Sequence, residues 1–135
     1  MSLNALLQAP DVYSTAVAVA PVTHWKYYDN IYTERYNGLP QENAAGYERG
    51  SPLTYAGQLT GDLLVVHGTG DDNVHYQNTE ALQNALVKAN KQYTMMSYPN
   101  RNHGIFGGNT TRHLRTLLTE YIHEHLPAAA PAPMP

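Results

Sequence analysis

The 135-residue sequence contains no cysteine. Disulfides, thiolate metal sites and a cysteine nucleophile are therefore excluded, while the redox compartment stays open. Charge is sparse as well, at 14% Asp, Glu, Lys and Arg, where globular domains carry about a quarter. The net charge is −3, and no basic cluster offers an electrostatic footprint for nucleic acid. No apolar run approaches the ~18 residues of a membrane span. Residues 1–10 lack the basic start and long apolar stretch of a secretory signal. Phe and Trp occur once each, against 11 Tyr; such aromatics suit a wet, half-polar cleft better than a dry core. Apolar residues still make up 42%, so the chain folds around a core rather than staying disordered. Its length is that of one domain.

Low-complexity sequence is confined to residues 127–135, P-A-A-A-P-A-P-M-P. Prolines without amide donors favour extended backbone, which predicts a flexible tail behind a folded part of residues 1–126. Within that part, residues 2–8 read as a short helix stopped before Pro10. Thr15–Val19 (T-A-V-A-V) reads as a strand buried on both faces. Residues 29–36 read as a helix ended by Gly38 and Pro40, and Ser51-Pro52 as a helix start with Ser as N-cap and Pro at the first position. The clearest strand is residues 61–68 (G-D-L-L-V-V-H-G), and the clearest helix is residues 78–91, where Ala81, Leu82, Ala85, Leu86 and Ala89 recur at helical spacing. Residues 93–98 predict a third strand and Thr110–His125 a last helix.

Alternation of this kind predicts an α/β fold: about three parallel strands, right-handed crossovers and helices on both faces. Chemistry in such folds collects in the loops at the carboxyl ends of the strands. Three loops qualify: residues 20–36, 67–75 and 99–108. The second, H-G-T-G-D-D-N-V-H, places Asp71 just past a buried strand; the third, N-R-N-H-G-I-F-G-G, places His103 past the next one. Alone, Asp71 reads first as a turn or cap residue and His103 as a surface or satisfied polar residue. Together they match the trailing half of an α/β-hydrolase triad, whose chain order is Ser, acid, His. Metal binding is the rival chemistry, since seven histidines and the Asp71-Asp72 pair are available. No H-E-x-x-H occurs, His123 and His125 do not share a helix face, and D-D-N-V-H lacks the pattern of an EF-hand loop. Neither Gly-rich phosphate motif is present.

Three blocks carry a resemblance. They are A-V-A-P-V-T-H-W-K-Y-Y-D-N-I-Y-T-E-R-Y-N-G-L-P (residues 18–40), H-G-T-G-D-D-N-V-H-Y-Q (residues 67–77) and N-H-G-I (residues 102–105). Together they resemble the end of the catalytic domain of the dipeptidyl peptidase IV family, serine peptidases of the prolyl oligopeptidase group. The resemblance covers nearly all of residues 1–127 and implies the C-terminal portion of an α/β-hydrolase fold. It implies that Asp71 is the triad acid and His103 the base. It also implies that Val22, Trp25, Tyr28, Tyr32 and Val74 form an apolar pocket for a penultimate Pro or Ala, and that Asn73 binds a substrate backbone carbonyl. No metal or organic cofactor is implied. A periplasmic or extracellular location follows from the family alone.

The family's nucleophile sits in a G-x-S-x-G elbow, which this sequence lacks; Ser2, Ser14, Ser51 and Ser97 have no such context. Residues 1–4 resemble the start of the helix that follows that elbow. The expectation is therefore a piece of a serine exopeptidase that releases Xaa-Pro or Xaa-Ala dipeptides, inactive alone. The alternative is a freestanding, non-catalytic binding module with the same fold. Without a strand on its other side, Thr15–Val19 presents an unguarded apolar edge, which predicts self-association.

Overall fold

The computed structural model describes residues 1–126; the expected flexible tail, residues 127–135, lies outside the described residues. In chain order the elements are α1 (Ser2–Gln8), β1 (Thr15–Val19), α2 (Asn30–Asn37), α3 (Ala44–Gly50), β2 (Asp62–Gly68), α4 (Gln77–Lys88), β3 (Thr94–Tyr98) and α5 (Thr110–His125). Short 3₁₀ segments occupy Trp25–Tyr27 and Pro52–Gln58.

The apolar run from Leu63 to Val66 dictates the layering. In an extended chain successive side chains face opposite ways. Leu63 and Val65 enter one core, with Leu3, Leu6 and Leu7 of α1, Ala56, Leu59, and Leu82 and Leu86 of α4. Leu64 and Val66 enter the other, with Tyr98, Ile105, and Leu114 and Tyr121 of α5. All four residues of the run are at most 1% exposed. A strand buried on both faces belongs in the middle of a parallel sheet. The order is indeed β1-β2-β3, both pairings parallel, with Val17 opposite Leu64 and Val65 opposite Met95.

β1 departs from expectation. Its first three residues are half-buried and Val19 is 40% exposed. It pairs with β2 alone among the described residues, so its far side lacks the neighbour that would complete burial.

α4 starts one residue earlier than its periodicity indicates and stops at Lys88 rather than at residue 91. Asn90 takes a left-handed φ of 53°; Lys91 N–H bonds Leu86 carbonyl at 2.9 Å and Asn90 N–H bonds Val87 carbonyl at 3.0 Å. This is the Schellman closure, which Asn tolerates better than most residues. Ser51 does cap, accepting Leu53 N–H at 3.3 Å, but the helix it opens is 3₁₀. α3 was not anticipated: two glycines in A-A-G-Y-E-R-G hide it, and its cap is Asn43, which accepts Gly46 N–H at 3.2 Å.

Leu64 and Leu82 are both fully buried, one in each core. Leu64→Ala and Leu82→Ala are each expected to lower unfolding stability by about 2–5 kcal/mol. Urea denaturation followed by circular dichroism checks this; losses under ~1 kcal/mol would mean that the two cores are not tightly filled.

Candidate active site

All three strands run the same way, so their carboxyl-end loops converge on one edge of the sheet. The loops after β2 and β3 are joined by backbone bonds. Thr69 N–H bonds Tyr98 carbonyl at 3.0 Å, and Gly70 N–H bonds Arg101 carbonyl at 3.1 Å. Asn100 N–H bonds the Thr69 hydroxyl at 2.9 Å. The approach is so close that a Cβ on Gly68 would collide with the Arg101 carbonyl, so Gly is required there.

Beyond that crossing lies His103, anchored by Ile105. Ile105 is 1% exposed, sits in the α5 core, and takes a φ of 47°. Left-handed backbone at a β-branched residue costs about 1–3 kcal/mol. Burial of the side chain holds it in place, and the His103 loop is fixed with it.

Asp71 is the centre of the arrangement. Its side chain is fully buried. Oδ1 accepts the backbone N–H groups of Asn73 at 3.0 Å and Val74 at 2.9 Å. Oδ2 faces His103 Nδ1 at 2.9 Å, within hydrogen-bond distance. The His103 side chain is 44% exposed, and its Nε2 bonds no described residue. Burial alone pushes the Asp71 carboxyl upward. The hydrogen bonds from His103, Asn73 and Val74, with the His103 charge, outweigh burial and hold it below the usual carboxylate range.

A second histidine meets the same oxygen. His67, fully buried in β2, places Nε2 3.0 Å from Asp71 Oδ2 and 2.9 Å from the Val74 carbonyl, with Nδ1 2.7 Å from the Thr79 hydroxyl. Sequence reasoning gave His67 no role beyond possible metal binding. The available signal was its place in β2: period two puts it on the Leu63–Val65 face, beneath α4, where a histidine must find polar partners.

The expected pocket residues are divided by the fold. Trp25 stacks on Tyr32 with ring centroids 5.8 Å apart, and Tyr28 meets both edge-on at 6.0 and 5.7 Å. Val22 and Trp25 line a cavity of about 270 Å³ that also touches Ala18, Val19 and Pro52. Tyr28 and Asn73 line a neighbouring polar cleft of about 410 Å³ with Lys26, Asp72 and His75. Tyr28 donates its hydroxyl to Asn73 Oδ1 at 3.1 Å. Val74, 3% exposed, is buried in the Asp71 loop and lines neither space.

Asn78, at the start of α4 and fully buried, ties the aromatic segment to the Asp71 side. Its Oδ1 accepts Thr23 N–H at 2.9 Å, its carbonyl accepts the Thr23 hydroxyl at 2.6 Å, and its Nδ2 donates to the Tyr27 carbonyl at 3.4 Å. Ser51 fixes Thr23 from the other side, donating to its carbonyl at 2.8 Å.

Comparison with known proteins adds the lineage. Residues 1–128 match the model of the prolyl oligopeptidase family. The chain belongs to that family. It is 40% identical over 129 residues to mouse (Mus musculus) dipeptidyl peptidase 8, and 38% identical over 127 residues to mouse prolyl endopeptidase FAP. These alignments cover 93% and 92% of the chain, but 14% and 17% of the relatives. The crystal structure of Porphyromonas gingivalis dipeptidyl peptidase 4 matches with a TM-score of 0.89 and 45% identity, over 92% of this chain and 18% of that one. The three parallel strands with flanking helices are thus the corresponding portion of an α/β-hydrolase fold. The chain spans less than a fifth of the length of these relatives.

Among the described residues, no group of three or more His, Asp or Glu side chains is arranged to hold a metal ion. No helix among them is long and apolar enough to cross a membrane.

Asp71→Asn turns one carboxylate oxygen into an N–H donor facing other donors, and is expected to cost about 1–3 kcal/mol at pH 7. Because the folded carboxyl sits below its unfolded value of about 3.9, Asp71's contribution is fully present above that value. It is lost as pH falls through the lower, folded value. The stability gap between wild type and Asp71→Asn should therefore narrow as the pH falls below about 4. Thermal unfolding across this range checks it; a gap that widens on acidification would contradict the assignment.

Proposed function

We propose that this chain supplies the acid and base of a serine exopeptidase site that releases Xaa-Pro or Xaa-Ala dipeptides from peptide amino termini. The carrying observation is the Asp71–His103 pair, bonded through Nδ1 at 2.9 Å with Nε2 left without a described partner. In this reading the serine nucleophile comes from polypeptide outside the 135 residues, which contain no G-x-S-x-G. His103 Nε2 takes the serine proton as the serine oxygen attacks the carbonyl of the penultimate residue. Asp71 holds the ring and stabilises the imidazolium. The same nitrogen returns the proton to the leaving amine, and water then releases the dipeptide from the serine.

The substrate assignment rests on the aromatic group and on Asn73. A pyrrolidine ring offers no donor, so Val22, Trp25, Tyr28, Tyr32 and Val74 suit it as apolar walls. The Tyr28 hydroxyl occupies Asn73 Oδ1, which leaves the Asn73 amide N–H groups to donate to a substrate carbonyl.

The isolated chain is expected neither to hydrolyse glycyl-prolyl-p-nitroanilide nor to be labelled by a fluorophosphonate. A longer polypeptide from the same gene, extended upstream through a G-x-S-x-G segment, should do both. In it His103→Ala and Asp71→Asn should each lower kcat by about 10⁴-fold or more. Stoichiometric labelling of the 135-residue chain, or full activity of the His103→Ala enzyme, would refute the proposal.

The unpaired edge of β1 also supports self-association of the isolated chain. No Pro, Lys or inward charge guards T-A-V-A-V, the devices that protect natural edges, and Val12, Tyr13 and Val19 are exposed nearby. Light scattering at micromolar concentration should report a dimer or larger species; a clean monomer would contradict this.

A further inference from the structure

His67 is a titratable side chain with no exposure to solvent, three polar contacts, and no part in the mechanism above. Its Nε2 faces the Asp71 carboxylate and the Val74 carbonyl, groups that only accept, so Nε2 carries a hydrogen. Its Nδ1 faces the Thr79 hydroxyl, which can donate. A neutral ring with hydrogen on Nε2 alone is therefore fully satisfied.

We infer that His67 is a positioning residue, an Nε2–H donor that locks the Asp71 carboxylate in the orientation His103 requires. The carboxylate is then held at both oxygens without His103: Oδ1 by two backbone N–H groups and Oδ2 by His67. The His103 side chain is 44% exposed. Thr79 fixes the tautomer from α4, and Tyr76 covers the ring at a centroid distance of 5.3 Å. Packing alone does not account for the site. An aliphatic side chain would fill the space beneath α4, but would leave the Val74 carbonyl and one carboxylate lone pair buried without a donor. The inference rests on the reading of Asp71 and His103 as acid and base, and its test needs no turnover.

The experiment is nitrogen-15 and carbon-13 NMR on the 135-residue chain. Wild-type His67 should show a protonated Nε2 and an unprotonated Nδ1 at neutral pH. His67→Phe should raise the titration midpoint of the Asp71 carboxyl by about one pH unit or more, the worth of one hydrogen bond to a charged group. His67→Gln, whose amide N–H can take the place of Nε2–H, should restore most of that shift. A wild-type ring protonated at Nδ1 would overturn the inference, and this needs no variant. So would a folded His67→Phe chain with an unchanged Asp71 midpoint. An inactive longer polypeptide would count against the proposed function while leaving these signals in place.

Discussion

A carboxylate stripped of water in the body of a small domain is the constraint on which this site depends. Taking Asp71 out of solvent costs several kcal/mol unless its oxygens are served. Four N–H groups serve them, from His67, Asn73, Val74 and His103. They come from β2, from its following turn, and from the loop beyond β3. The carboxylate is therefore a fastening point for three pieces of chain as well as a chemical group. Its low proton affinity and the shape of the surrounding loops have the same cause.

The sheet supplies what the carboxylate cannot. Parallel pairing of β2 and β3, with Gly68 opposite Tyr98, brings the two strand ends level, so that a turn from one meets a loop from the other. Gly68 permits the backbone contact with Arg101, and buried Ile105 holds the far side of the His103 loop. On the β1 side, Asn78 joins the aromatic segment to the start of α4, the helix that also presents Thr79 to His67. One helix start thus aligns the apolar group and the charged group against each other.

The fold was legible where periodicity is strong. Leu63 to Val66, a four-residue apolar run between glycines, read as the clearest strand, and residues 110–125 read as a helix. The end of α4 was not legible, because its apolar spacing runs on to Ala89 while the chain turns at Asn90. Nor was the burial of β1, because T-A-V-A-V states what the strand is made of and not what covers it. Asp71 and His103 stood out because an acid after one parallel strand and a histidine after the next match the chain order of a hydrolase triad. His67 did not: its partner Thr79 is 12 residues away, and the two meet only once α4 has folded back over β2. The pocket residues came from family resemblance, which names side chains but not the division between a cavity beside β1 and a cleft beside Asn73.

Asp71 orders His103 within these 135 residues, before any other polypeptide contributes. Proton NMR at low temperature tests it most directly. A hydrogen shared between His103 Nδ1 and a buried carboxylate resonates well downfield of ordinary amides and exchanges slowly enough to be seen. Such a signal is expected in the isolated chain, and is expected to be lost in both Asp71→Ala and His103→Ala while the backbone spectrum stays folded. A folded wild-type chain with no such signal, or a signal that survives Asp71→Ala, would contradict it.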